Sequence, residues 1–170
     1  MKDSFFFPKP EHYSRIAHVY GAVAGKLNDY GDAIYRKGSL YAMPEGGMYS
    51  TATDLVAFYR MMLNGGIYNG KRLISKASVA TMTKLHTGEI DPAGHSAGMG
   101  YGLTWTVGKD VRSTTALLDQ ATYGHGGAFG TDAFADPKKD LIGILLIQRI
   151  PGGGSEQRVF REMAASAVRE

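Results

Sequence analysis

The chain has 170 residues, 44% hydrophobic and 21% charged, a balance that fits one globular domain able to bury an ordinary core. Its formal charge of +3 is scattered, with Arg36-Lys37, Lys71-Arg72 and Lys138-Lys139 as the largest clusters, which argues for a solvated surface and against a nucleic-acid footprint. The absence of cysteine excludes a disulfide framework, a thiolate nucleophile and a zinc-thiolate site, and it leaves the compartment unread.

Residues 1–48 carry Pro8, Pro10, Pro44 and six glycines without a sustained period, which predicts irregular surface segments and short helical turns. Phe5-Phe6-Phe7 follows the acidic Asp3 and stops at Pro8, so it is not a signal peptide. Ser50-Thr51-Ala52-Thr53-Asp54 supplies N-cap chemistry. Leu55, Val56, Tyr59, Met62 and Leu63 then recur at helical spacing until Asn64-Gly65-Gly66 ends the helix. Leu55, Tyr59 and Met62, with Trp105 further on, are read as core. A second, shorter helix begins after Ser75, with Ala77, Val79, Ala80 and Met82 to pack, and a loop bearing glycine, histidine and acids runs from Lys84 to Gly100.

The period changes at Tyr101. Tyr101, Leu103, Trp105 and Val107 alternate with Gly102, Thr104 and Thr106, the pattern of a half-buried strand. A second strand is expected from Thr122 to Ala135, bent at its glycines, and Asp136-Pro137-Lys138-Lys139-Asp140 supplies a turn. The third, Leu141 to Arg149, is apolar enough to lie buried on both faces, yet its run is far too short to span a bilayer. After Pro151-Gly152-Gly153-Gly154, Ser155 caps a last helix with a stripe of Val159, Phe160, Met163, Ala164, Ala167 and Val168. The expectation is α+β: a single unit over 1–170, mainly helical and irregular to residue 100. An antiparallel sheet over 101–149 and a closing helix follow, with helices on its flanks.

Most motif chemistry fails on spacing. Tyr123-Gly124-His125-Gly126-Gly127-Ala128-Phe129-Gly130-Thr131 holds four glycines and a histidine, but it lacks the dinucleotide pattern and no helix follows to receive a phosphate. His12, His18, His86, His95 and His125 are dispersed, with no pair one helical turn apart, so they read as surface or loop residues, as do Glu89 and Asp91. No metal site or cofactor is expected. A serine nucleophile needs an activating base and a pair of oxyanion donors. The chain contains no Ser-x-x-Lys and no Tyr-x-Asn. What stands on the residues alone is a histidine beside a glycine-opened strand edge.

Several short stretches nevertheless occur in one order: Gly46-Gly47-Met48-Tyr49-Ser50-Thr51-Ala52-x-Asp54-Leu55, Gly100-Tyr101-Gly102-Leu103-x-Trp105, and Gly124-His125-Gly126-Gly127 with Gly130-Thr131. Together they resemble the β-lactamase-related serine hydrolases, which include class C β-lactamases, D-alanyl-D-alanine peptidases and esterases of that fold. The likeness covers nearly the whole chain, and Met1-Lys2-Asp3-Ser4-Phe5 looks like the segment after the family's mid-domain loop. In that family a Ser-x-x-Lys motif carries the nucleophile, Tyr-x-Asn adds acid-base chemistry, and Lys-Thr-Gly or His-x-Gly lines the cleft. Only the third is here, as His125-Gly126-Gly127.

By this resemblance the backbone N–H of Ala128 is one of two oxyanion donors, and His125 either hydrogen-bonds a substrate carboxylate or orients a hydroxyl. Gly126 and Gly127 leave room for substrate. Tyr123 is either core or part of the cleft wall. The chain then looks like the C-terminal half of a catalytic domain, a piece of a longer hydrolase or a short protein that kept the scaffold, and is not expected to acylate a substrate alone. The intact enzyme would cleave an ester, amide or β-lactam bond of a small-molecule or peptide substrate through an acyl-serine. The alternative is a non-catalytic binding or partner module on the same scaffold. Loss of the family's N-terminal strands would open the Leu141–Ile147 edge to self-association or to a stabilising partner.

Overall fold

A computed structural model describes residues 1–31, 41–44, 46–90, 98–109, 117–152 and 154–168. Arg36, Lys37, Asp91 and His95 lie outside the described residues. The N-terminal stretch is more regular than its composition suggests. It holds a 3-10 helix, Pro10–Arg15, and a hairpin of β1 (Tyr20–Val23) and β2 (Lys26–Asp29). Ala24 and Gly25 turn that hairpin at φ 50° and 76°, the left-handed pair a two-residue connection needs. Only Gly21 of its eight strand residues is buried, so no apolar alternation announces it.

Helix α1 (Ala52–Leu63) forms where its cap and stripe predict. The Thr51 hydroxyl accepts the Asp54 N–H at 3.3 Å, and Gly65 and Gly66, at φ 60° and 90°, close the C-terminus onto the Met62 and Met61 carbonyls. A small hairpin, β3 (Ile67–Tyr68) and β4 (Lys71–Arg72), leads to α2 (Lys76–Thr83), capped by Ser75 as expected. There Val79 is buried and Met82 half-buried, whereas Ala77 and Ala80 face solvent.

The sheet has five antiparallel strands in the order β5-β6-β7-β8-β9, where three were expected. The segment read as one strand from Tyr101 is a hairpin of β5 (Met99–Tyr101) and β6 (Thr106–Gly108). Gly102 packs its bare Cα on the Met82 carbonyl and Thr104 turns at φ 69°. Thr122 to Ala135 is likewise a hairpin, β7 (Tyr123–Gly126) against β8 (Asp132–Asp136), with the glycines in its turn. The last predicted strand stops at β9 (Leu141–Leu145), and β10 (Arg149–Ile150) leaves to pair in parallel with β1. β8, not β9, is the strand buried throughout; β9 ends the sheet and only Gly143 of it is buried.

Alternation along β8 divides the layers. Ala133 and Ala135 join the α1 side, where Tyr59, Met61, Met62, Val79, Trp105, Val107 and Tyr123 form the core. Asp132 and Phe134 meet the last helix, α3 (Ser155–Ala167), through Arg161 and Phe160. That helix is capped by Gly154 rather than Ser155. Its buried face is also turned from the predicted stripe: Arg161 and Ala165 are buried, while Val159, Met163 and Ala167 are exposed. The physical reason is an ion pair, because Arg161 reaches Asp132 with two 2.6 Å hydrogen bonds and fixes the helix rotation.

Candidate active site

The candidate site is the free end of β7. Strand β6 pairs with Tyr123 and Gly124 only, and the Thr106 hydroxyl closes the last pairing by donating to the Gly124 carbonyl at 2.6 Å. From His125 onward, no other strand among the described residues lies along that edge, whereas β8 continues to Gly126 on the opposite side. The turn that follows is tied by Gly127 N–H to the Thr131 carbonyl at 2.8 Å and Gly130 N–H to the Gly127 carbonyl at 3.0 Å. Between them the Ala128 N–H donates to no group among the described residues. An amide without an internal partner, held by a closed turn, is a donor ready for an external oxygen.

His125 is exposed, on the sheet face that carries Tyr123 and Ala133. Its Nδ1 lies 2.6 Å from the Gly126 carbonyl. A carbonyl only accepts, so Nδ1 carries a proton and donates it to the backbone, leaving Nε2 as the ring nitrogen not engaged by that bond.

The glycines have a different explanation from the one the sequence suggests. A Cβ on Gly124 would strike the Ala133 carbonyl, one on Gly127 would strike the Thr131 hydroxyl, and one on Gly126 would sit 3.0 Å from Gln157 Nε2. Protein atoms, not an empty cleft, fill the space beside all three. Gly152 is required in the same way by the Ala128 carbonyl. The bare backbone therefore lets the turn close on itself and on α3, which aims Ala128 rather than clearing room for a ligand.

Tyr123 is in the core. At 3% exposure its ring packs edge-on to Trp105 at 5.2 Å and stacks at 6.5 Å on Tyr59. Burial pushes its phenol up to about 12. Its hydroxyl, like the Trp105 indole N–H, has no partner among the described residues, while the Tyr59 hydroxyl donates to the Ala133 carbonyl at 2.9 Å. Sequence reasoning missed Asp132, Gln157 and Arg161 altogether, and quoted Thr131 in the motif without giving it a role. The one local signal was a glutamine and an arginine a single turn apart on a helix of otherwise apolar stripe.

The other polar residues stay apart. His12 stacks on Phe5 at 4.4 Å, His18 pairs with Asp29 at 2.8 Å, His86 Nε2 meets the Thr81 carbonyl at 2.7 Å, and Glu89 reaches Lys109 at 3.9 Å. Among the described residues no three histidines or acids gather as metal ligands, and no helix is long and apolar enough to cross a membrane. A cavity of about 380 Å³ lies between Phe5, Arg15, Met48, Phe129 and Leu146, touching the turn at Phe129. The motif Ser50 to Asp54 borders it structurally: Asp54 accepts from the Lys2 and Asp3 amides and the Ser4 hydroxyl at 3.1, 2.8 and 2.8 Å.

Comparison with known proteins gives this arrangement a family. Residues 1–167 match the family model described as Beta-lactamase. Protein Rv1367c of Mycobacterium tuberculosis is 38% identical over 117 residues, 62% of this chain and 29% of that protein. A Salmonella enteritidis protein named as a candidate D-alanyl-D-alanine carboxypeptidase is 30% identical over 106 residues, 61% of this chain and 22% of that one. Among solved structures, EstCE1, a hydrolase with promiscuous acyltransferase activity, superposes with a TM-score of 0.72 at 17% identity, over 96% of this chain and 46% of its own. The chain thus spans less than a third of both relatives and under half of EstCE1.

Proposed function

The chain belongs to the β-lactamase family and has its mixed α and β fold, and from that premise we propose that it forms one wall of the active site of a serine hydrolase. The observation that carries this reading is the unpartnered Ala128 N–H at the end of β7, held in a closed turn beside His125. When a serine oxygen attacks a carbonyl carbon, a C–O bond forms and negative charge moves onto the carbonyl oxygen. A fixed N–H facing that oxygen favours the transition state over the ground state, and one such donor is worth about 3–4 kcal/mol. Collapse of the tetrahedral intermediate expels the leaving group and leaves an acyl-serine, which water then hydrolyses. An ester, amide or β-lactam carbonyl serves equally in this scheme. The names of EstCE1 and of the carboxypeptidase relative support an acyl-transfer substrate of ester or peptide type.

The serine and its lysine come from residues beyond the 170 given, since no Ser-x-x-Lys or Tyr-x-Asn occurs in them. By itself the chain is inactive on this reading. The segment bearing those motifs is its partner, and the outer edge of β9, to which no described strand pairs, is the place for it or for a second copy to add strands. No cofactor enters the chemistry.

A fluorophosphonate probe tests the proposal. The chain alone remains unlabelled, and supplying a Ser-x-x-Lys segment of the same family gives one labelled serine on that segment. Ala128→Pro, which removes the N–H, lowers the turnover of that assembly about 100-fold. Covalent labelling of a serine within the 170 residues contradicts the reading. A stable complex that never labels favours a non-catalytic partner module. Light scattering tests the edge: a compact monomer at working concentration argues against association through β9.

A further inference from the structure

Gln157 and Arg161 stand one turn apart on α3 and reach two consecutive residues, Thr131 at the end of the turn and Asp132 at the start of β8. Gln157 Nε2 donates to the Thr131 carbonyl at 2.7 Å. Arg161 holds the Asp132 carboxylate through Nε and Nη2, both at 2.6 Å, with the two side chains 8% and 1% exposed. The Thr131 carbonyl is the same oxygen that accepts the Gly127 N–H and closes the turn containing Ala128. It therefore has two donors, one from the turn and one from the helix. Gly126, in register with Asp132, lacks the Cβ that would press against Gln157 Nε2 at 3.0 Å.

The two contacts do different things. The arginine and carboxylate are buried and paired, so they dock α3 on the sheet. Gln157 is half-buried, in a helix face that an apolar residue could cover, and it places an amide against a backbone carbonyl. A buried amide costs free energy unless it is bonded, so covering the sheet does not account for a glutamine there. Its bond fixes the direction of the Thr131 carbonyl, and through Gly127 the plane of the next peptide, whose N–H belongs to Ala128.

We infer that Gln157 is a positioning residue for the Ala128 amide, setting its aim from a helix that never meets the substrate. The inference rests on the serine-hydrolase reading for its catalytic meaning, but the clamp itself is measurable without catalysis.

Amide hydrogen exchange followed by NMR on the whole chain supplies the first test, with Gln157→Met, which keeps length and loses the donor, and Gln157→Glu, which turns a carboxylate on the carbonyl. Both variants speed exchange at Gly127 about tenfold and shift the Ala128 resonance, while protection across Phe134 to Ile144 stays as in the parent. Unchanged exchange at Gly127 overturns the inference. So does an equal loss of protection throughout the sheet, which marks a structural role. The second test uses the assembly with a Ser-x-x-Lys segment: Gln157→Met lowers kcat about tenfold with KM within twofold, and Gln157→Glu regains turnover as the pH is lowered and its carboxyl becomes a donor. A fall in both variants confined to KM overturns the positioning role. If the parent assembly does not turn over at all, the hydrolase reading fails, and the exchange result still decides the clamp.

Discussion

The two faces of the five-stranded sheet are held to their helices by different forces. On the α1 side Tyr59, Met62, Trp105 and Tyr123 pack on Ala133 and Ala135, with Ile142 and Ile144 at the margin, and one hydroxyl bond runs from Tyr59 to the Ala133 carbonyl. On the α3 side Phe134 is fully buried against Phe160, with the Arg161 guanidinium 5.3 Å above its ring. Asp132 beside it is buried too, and is bound bidentately. Apolar burial supplies most of the stability but is non-directional. A bidentate ion pair and an amide bond define register to within a hydrogen-bond length. The polar face is the one that backs the candidate site, where a donor's aim matters more than its burial.

The sharpest way to break this contrast is to remove one half of the buried pair. Arg161→Met leaves the Asp132 carboxylate buried without its partner and is expected to cost about 3–5 kcal/mol, read as a fall in thermal midpoint of roughly 2–4 °C per kcal/mol. Adding Asp132→Leu to it restores most of that stability, because two apolar groups then replace two charges. In the restored double variant the α3 register is no longer specified, and exchange at Gly127 shows it. A smaller loss, about 1–3 kcal/mol by overpacking, is expected from Gly124→Ala, whose new methyl meets the Ala133 carbonyl and Phe134. The same change at an exposed, untouched glycine provides the control in the denaturant midpoint.

These residues also mark where the sequence ceased to be readable. Helix α1 is legible because its cap, its stripe and its glycine stop are all local; Tyr59 and Met62 are buried as read, whereas Leu55, expected in the core, is half-buried, Val56 is exposed and Met61 is buried in their place. The stripe of α3 misleads by one position because the residue that rotates the helix, Arg161, answers to Asp132 29 residues away, and no periodicity carries that information. A glycine-rich stretch signals either a bend in a strand or a turn between two, so β7 and β8 read as one. The triplet at His125 was legible through resemblance, and its open edge is present. What fills the space beside Gly126 and Gly127 was not, since Thr131 lies across the turn and Gln157 in another element.

Asp54 brings a polar anchor to the apolar side and so sharpens the comparison. Burial pushes its carboxyl up, but the Ser4 hydroxyl and the Asp3 and Lys2 amides together hold it below its ordinary value. A carboxyl depressed in the folded state stabilises fully above its unfolded value near 3.9, and that contribution is lost as the pH falls through the lower folded value. Thermal midpoints measured from pH 6 downward should therefore drop in the parent chain below about pH 4. In Asp54→Asn the midpoint is lower at neutral pH and this part of the acid slope is gone. A variant with the parent's full slope assigns the acid sensitivity to other carboxylates.

The smallest effects separate two tyrosines that share a cluster. Tyr59→Phe removes a bonded hydroxyl and leaves the Ala133 carbonyl one donor short, an expected loss of about 1 kcal/mol. Tyr123→Phe removes a hydroxyl that is buried and has no partner among the described residues, so the change is expected to be neutral or slightly stabilising. Both keep the ring and its packing, and the difference in denaturant midpoint reports the hydroxyls alone. If Tyr123→Phe costs as much as Tyr59→Phe, the hydroxyl has a partner in solution. The α1 face would then contain a polar network of its own, and the division between a burying face and an aiming face would narrow to the clamp at Thr131 and Asp132.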